Sequence, residues 1–320
     1  MNRYDYSGCR CRSCSDKKEK QKLKKITAVG EILYDVYPDK KRLGGAPFNF
    51  IYHVWKLTGK ANFISSVGND ENGREIFDYL SSIGFDTESI TIDKKHATGT
   101  VKVALDENKI PCFVISPESS YDYIELNEKT KNVIEQETDL LYFGTLTTRN
   151  SVSRKTVLSL LQNKNLKFFC DLNLRHNFYS KELVETMLRA THIIKLNDAE
   201  LYKLQQFFDL DQSRSAAIRQ LINEYDIEIA ALTLGEDGAE IYTAGETNKY
   251  KSKQTEVADT LGAGDAYAAV FCIGYLYNLP LKKINELANE FASEICRING
   301  ALPTDDSIYK TYRSIFSALQ

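Results

Sequence analysis

From residue 25 onward, short apolar runs alternate with longer segments whose apolar residues recur every three or four positions. ITAVGEIL reads as a buried strand. APFNFIYHVWKLTG places Phe50, Val54 and Leu57 on one helical face and stops at Gly59. ANFISSVG reads as a strand and NGREIFDYLSSIG as a helix ended by Gly84. The alternation continues through strands DLLYFGTL, LKFFCDLNL, THIIKLN and IEIAALTLG, separated by helical patterns such as SVSRKTVLSLLQNK, KELVETMLRA, DAELYKLQQFF and SRSAAIRQLINEY. This order predicts a mostly parallel sheet covered by helices on both faces.

Three stretches break the rhythm. YPDKKRLGG and TGTVKVALDENKIPCFVIS are strand-like with no helix between, and DENK suits a hairpin connection. Paired together they would form a small β-sheet beside the main body. GAEIYTAGETNKYKS is a further hairpin, and two helical patterns close the chain. The expected architecture is therefore one α/β domain, a three-layer sandwich over residues 25–320, with lid strands at about 36–44 and 91–120.

Charge and composition narrow the partners. The 320 residues carry a formal net charge of -3, with 42% hydrophobic and 27% charged side chains. Nothing in that balance favours nucleic acid or an anionic membrane. No apolar run reaches the roughly 20 residues that span a bilayer, and residues 1–25 lack the apolar core of a signal peptide. Of seven cysteines, Cys112, Cys170, Cys272 and Cys296 sit among apolar residues as small hydrophobes, which points to a reducing cytoplasm. Cys9, Cys11 and Cys14 have no second cluster to complete a tetrahedral metal site, so residues 1–24 are expected to be a solvated, disordered leader.

In open α/β sheets ligands bind beyond the carboxyl ends of the strands. The polar residues there include Glu31, Asp35, Asp171, Asn173, Arg175, Asn197, Glu200 and Thr233. The last such segment, DTLGAGD, runs directly into the apolar helix AYAAVFCIGYLY. Gly262, Ala263 and Gly264 leave open a helix start whose amides and dipole suit a phosphate. Asp265, in the same turn, is either a cap or a base for an attacking hydroxyl. G-x-G-x-x-G after the first strand and G-x-x-x-x-G-K-[ST] are both absent, which excludes a nicotinamide-type or P-loop nucleotide site.

DTLGAGDAYAAVF resembles the C-terminal signature of the ribokinase-like (PfkB) carbohydrate kinases. GGAPFNFIYHVWKLTGKANFISSVGNDENGREIFDYLSSIGFDTESI is similar to the same family's first signature, with DLNLR, KLNDAEL and LTLGEDGA between them in the expected order. The resemblance implies transfer of the γ-phosphate of ATP to a hydroxymethyl group of a sugar. It implies Asp265 as base and Gly262, Ala263 and Gly264 as anion hole. Asp35, Gly44, Gly45, Asn49, Asn173 and Arg175 would contact the sugar. Asn197, Thr233, Gly235, Gly238 and Asn289 would border ATP, and Glu200 would hold Mg2+ through water. The small sheet would be a lid and a homodimer interface. Many relatives use a monovalent cation such as K+ near the turn, and no side chain here decides that point. GEILYD and GGAPFN look most like fructokinases, so D-fructose is the expected substrate; 2-keto-3-deoxygluconate, ribose and nucleosides are the alternatives, with a non-catalytic sugar-binding relative behind them. Phe48 departs from the small residue common after the proline, either as packing or as a reshaped pocket. Lys40, Lys41 and Arg42 offer a cationic cluster that a phosphorylated substrate would require.

Overall fold

In the computed structural model, which describes residues 25–105, 111–253 and 256–318, the strands divide between two sheets. In the larger sheet β1 (Ile26–Val29), β4 (Asn62–Gly68), β5 (Ile90–Asp93), β8 (Leu140–Gly144), β9 (Lys167–Asp171), β10 (Ile193–Asn197) and β11 (Ile229–Thr233) run parallel. The hairpin of β12 (Ala239–Tyr242) and β13 (Thr247–Tyr250) extends it antiparallel. The order across this sheet is β13-β12-β11-β10-β9-β8-β1-β4-β5. The smaller sheet has the order β3 (Lys41–Gly44), β2 (Leu33–Val36), β6 (Gly99–Leu105) and β7 (Pro111–Ile115).

Successive strand residues point to opposite faces, and both faces of the large sheet are apolar. Ala28, Tyr142, Phe169, Ile193 and Ala231 join one core, under helices α1 (Ala46–Thr58), α2 (Glu71–Ser82), α8 (Ala263–Leu276), α9 (Leu281–Cys296) and α10 (Ser307–Ser317). Val29, Leu141, Phe143, Cys170, Ile194 and Ala230 join the other. That second core is covered by α3 (Glu128–Glu137), α4 (Ser151–Leu160), α5 (Lys181–Ala190), α6 (Asp198–Phe208) and α7 (Arg214–Tyr225). Helix α8 is buried on every side from Ala266 to Gly274, as its unbroken run of small and apolar residues predicts. Local signals mark the ends of elements. Asp70 caps α2 by accepting from the Gly73 amide, and Gly59 ends α1 in the left-handed region. No described helix is long and apolar enough to cross a membrane.

The three-layer α/β body and the additional small sheet agree with the sequence reading, but three details differ. ITAVGEIL is not one strand: it supplies β1 to the large sheet and, after Gly30–Ile32, opens β2 of the small one. Between them, where the chain leaves the large sheet, Glu31 is buried with its Oε2 accepting from the Thr147 hydroxyl at 2.9 Å. The segment beginning at residue 91 does not belong wholly to the small sheet. Ile90–Asp93 pairs with β4 in parallel, so the small sheet takes up the chain only at Gly99. Helix α3 was not anticipated, because Ile134 and Thr130 are its buried residues and, Val133 apart, the rest of the segment is charged or polar. The leader with Cys9, Cys11 and Cys14, and the DENK connection, lie outside the described residues.

Candidate active site

The turn 259–265 is set by contacts on both sides. Gly262 caps α8 with φ 78°, and a Cβ there would fall 2.3 Å from the Cβ of Ala301, so no larger residue fits without displacing the 300–302 segment. The Ala263 amide is bonded to the Thr260 carbonyl at 3.3 Å, whereas those of Gly264 and Asp265 meet no acceptor among the described residues. Free N–H groups at the positive end of a buried helix suit an anion. The Gly262 amide likewise meets no acceptor among the described residues, so of the trio expected from sequence Gly262 and Gly264 are open while Ala263 is taken up by Thr260.

Asp265 stands in that first helical turn, partly exposed yet densely surrounded by protein. Its Oδ2 accepts from Asn49 Nδ2 at 2.8 Å, joining α8 to α1. Asn49 is buried, and its Oδ1 has no partner among the described residues; a substrate hydroxyl would satisfy it. Burial pushes the Asp265 carboxyl up to about 7 and the Asp171 carboxylate adds to the rise, while Lys195, Asn49 and Arg175 act in the opposite direction. A carboxyl poised near neutrality is suited to taking a hydroxyl proton.

The small sheet reaches the same place. Asp35 lies on β2, and a Cβ on Gly44 would approach its Oδ2 to 2.8 Å, so glycine keeps that carboxylate open. Burial raises Asp35 to about 6, with Arg175 and Arg42 pulling it back. Gly45, the N-cap of α1, lies against the Glu31 carbonyl, 2.5 Å from where a Cβ would stand. Arg42 Nη1 on β3 donates to Asp259 Oδ2 at 2.8 Å, and the Asp259 carboxylate also accepts from the Leu261 and Gly300 amides. One ion pair therefore fastens the small sheet to the turn. Lys41 is bound to Glu75 and Asn72, so the cationic cluster suggested by PDKKRL is not assembled as a free patch. Phe48 is fully buried among Tyr52, Phe63 and Phe85, which answers the question its size raised: it is a packing residue of α1.

Beyond β10, Asn197 and Glu200 cap α6 reciprocally, each accepting from the other's amide. Glu200 Oε1 also accepts from the Leu174 amide at 3.0 Å, tying the DLNLR loop to this helix start. In that loop Asn173 has φ 41° and Arg175 is exposed. No carboxylate among the described residues pairs directly with Arg175, although its charge is felt by Glu31, Asp35 and Asp265. Thr233 lies beside Asn197 across the β10–β11 register. Gly235 (φ 59°) and Gly238 (φ 99°) shape the turn that follows, Gly238 closely packed against the Tyr250 carbonyl. Asn289 is not a surface asparagine. It is buried, and its Nδ2 donates to Asn285 O and Oδ1 at 2.7 and 2.8 Å, so that amide is not free to meet a base.

Sequence reasoning passed over Lys195, which is buried with its Nζ 3.1 Å from Asp171 Oδ1. Tyr142 donates its hydroxyl to Asp171 Oδ2 at 3.1 Å. The signal available was a charged residue in an otherwise apolar strand, IIKLN. No group of three or more His, Cys, Asp or Glu residues among those described could cage a metal ion. Both oxygens of Glu200 accept backbone amides, and each keeps a lone pair that could accept from a metal-bound water.

Residues 23–306 match the model of the pfkB family carbohydrate kinases. Among curated proteins, the 5-dehydro-2-deoxygluconokinase of Halalkalibacterium halodurans is 30% identical over 268 residues, covering 79% of this chain and 78% of that protein. Among solved structures, an uncharacterized sugar kinase from Pyrococcus horikoshii superposes with a TM-score of 0.78 at 27% identity, over 91% of this chain and 99% of that one. A fructokinase from Vibrio cholerae O395, solved with fructose, ADP and calcium, shares the fold at a TM-score of 0.73 and 23% identity, over 93% of this chain and 99% of that one. Two signatures in order, a three-layer fold with a small second sheet, and a family match spanning most of its length establish that this chain belongs to the pfkB family of carbohydrate kinases, phosphotransferases with an alcohol acceptor.

Proposed function

We propose that this chain transfers the γ-phosphoryl group of ATP to a hydroxymethyl group of a six-carbon keto sugar acid, such as 5-dehydro-2-deoxygluconate or 2-keto-3-deoxygluconate. The observation that carries the transfer step is the Asp265 carboxyl, bonded to Asn49 and adjoining the open amides of Gly264 and Asp265 itself. In this reading Asp265 takes the acceptor's proton while the two amides receive the charge of the migrating phosphoryl group. Asp35, Gly44, Gly45 and Asn49 hold the sugar hydroxyls. Asn197, Thr233, Gly235 and Gly238 line the nucleotide side. Mg2+, held through water on Glu200, would neutralise the ATP phosphates.

Arg175 favours an acidic sugar: an exposed guanidinium without a direct ion pair, at the carboxyl end of β9, matches a substrate carboxylate in fork geometry. The names of the curated relatives agree with this choice. D-fructose is the second reading, favoured by GEILYD and GGAPFN. A phosphorylated acceptor is disfavoured, because Lys41 and Arg42 are already bound to acidic side chains. On β7, exposed Phe113 and Val114 would supply the apolar surface for pairing two lids in a homodimer. The deciding experiment measures ADP release from Mg-ATP with 5-dehydro-2-deoxygluconate, 2-keto-3-deoxygluconate, D-fructose, D-ribose and adenosine. Turnover with a sugar acid and its loss in Arg175→Ala support the reading; turnover with adenosine alone overturns it.

A further inference from the structure

Lys195 has no part in the reaction outlined above, yet it is the only ammonium among the described buried residues. It projects from β10 toward α8, since its neighbours Ile194 and Leu196 face the opposite core. Its Nζ lies 3.1 and 3.2 Å from the two oxygens of Asp171. A Cβ placed on Gly264 would come within 3.2 Å of the same Nζ, so this nitrogen sits directly against the turn that carries the open amides. Asp171 is itself held by the Tyr142 hydroxyl, and the Tyr142 ring is stacked on Phe50 of α1 with centroids 3.8 Å apart. The ammonium is thus clamped from below and cannot swing toward solvent.

A buried cation needs a reason. Burial disfavours the charged form of Lys195, but the carboxylates of Asp171, Glu200 and Asp265 outweigh it and keep the amine protonated. A pair serving stability alone could be replaced by apolar residues of similar volume at little cost. Here the pair lies under a phosphate-binding turn, where a fixed charge in a dry site acts strongly on charge that develops during reaction.

We propose that Lys195 is a positioning residue for phosphoryl transfer: clamped by Asp171 against Gly264, its ammonium adds a fixed positive charge beneath the amides that receive the migrating group. The proposal rests on the reading that Asp265 and this turn form the transfer site.

The test compares three full-length variants: Lys195→Met, Lys195→Arg, and the double variant Lys195→Met with Asp171→Asn, which leaves no unpaired carboxylate in the core. Each is assayed for kcat, for KM toward sugar and ATP, and for the pH profile of kcat/KM. The double variant is expected to fold and melt within a few degrees of the parent, bind sugar with KM within about twofold, and lose about 10²-fold in kcat, the scale of removing one preorganised electrostatic donor. Lys195→Met alone is expected to lose at least as much kcat and to move the acid limb of its profile to higher pH, because Asp171 then acts on Asp265 unopposed. Lys195→Arg retains the charge and is expected to recover part of the lost turnover. A double variant with parental kcat would overturn the proposal by showing that the pair is only a packing element. Asp265→Asn provides the separate check: if it turns over normally, the transfer-site reading fails, whatever Lys195 does.

Discussion

Gly262→Ala tests the turn most directly, because two independent penalties can be separated. Gly262 has φ 78°, and its added Cβ would lie 2.3 Å from Ala301 Cβ and 2.7 Å from Ala301 Cα. Holding a non-glycine residue in the left-handed region costs about 1–2 kcal/mol. Forcing a methyl group into packed surroundings adds about 1–3 kcal/mol. Gly59, the C-cap of α1, has nearly the same φ of 76° with nothing within 4 Å of its would-be Cβ, so Gly59→Ala carries the first penalty alone. At about 2 °C per kcal/mol for a chain of this length, Gly59→Ala should melt about 2–4 °C lower and Gly262→Ala about 4–10 °C lower. The variants should diverge further in activity. Relieving the clash moves the Gly264 and Asp265 amides, and a displacement near 1 Å at a reacting centre costs about 10²-fold in rate. Gly59→Ala should keep parental kcat. Differential scanning calorimetry and steady-state ADP release measure both quantities on the same samples. Equal melting losses together with unchanged turnover in Gly262→Ala would refute the claim that segment 300–302 holds this turn in place.

Other expectations follow from the same site. Asp265→Asn should lower kcat by about 10²–10⁴ while equilibrium dialysis still detects ADP binding; full turnover would remove Asp265 from the chemistry. In the parent enzyme log kcat/KM should rise with pH up to a limb near 7, since Asp265 must lose its proton to act as base; a limb near 4 would contradict the burial that raises it. The same shift has a stability consequence. A carboxyl whose folded value is raised contributes stability that is complete below its unfolded value near 4 and disappears as pH rises through about 7. Asp265→Asn should therefore melt above the parent at pH 8 and close to it at pH 4, and the reverse order would show that the ionised carboxylate is stabilised in the fold. Phe48→Ala should cost about 3–5 kcal/mol of stability without altering sugar KM, because its ring lies in the aromatic cluster away from Asp35; a changed sugar preference would place it in the pocket.

What the sequence revealed follows the range over which each signal acts. Most strand and helix periods, the cap at Gly59 and the buried α8 are local patterns and were legible, α3 being the helix too polar to show one. DTLGAGD drew attention through its resemblance to a family signature, because small residues and an aspartate before a helix serve equally well as a plain cap. The crossing from β1 to β2 was not legible: Ile26–Leu33 is apolar on both sides of Gly30 and Glu31, and the partner that accommodates the buried Glu31 is Thr147, more than a hundred residues away. Lys195 was hidden for a similar reason, since its meaning depends on Asp171 from the next strand and Gly264 from a distant helix. The surroundings of Asn289 were hidden too: the resemblance placed it on a helix bordering the nucleotide, but its bonds to Asn285, which draw it into a buried amide network, are not visible in the sequence.

The passage of one continuous buried segment from the large sheet into the small one has a mechanical meaning. Gly30, Glu31 and Ile32 are all buried, so the crossing is stiff, and a second fastening exists where Arg42 grips Asp259. The opposite margin is β7, where Phe113 and Val114 face outward, and among the described residues it is held only at its end, where the Ser116 carbonyl accepts from Arg149. A plate pinned at one end of its strands, as here also by Thr98 on Asp70 and Ser116 on Arg149, can tilt but not slide. Access to Asp35 would then open and shut as a door does, with the widest travel along β7, and any neighbour gripping that margin would regulate how far it swings.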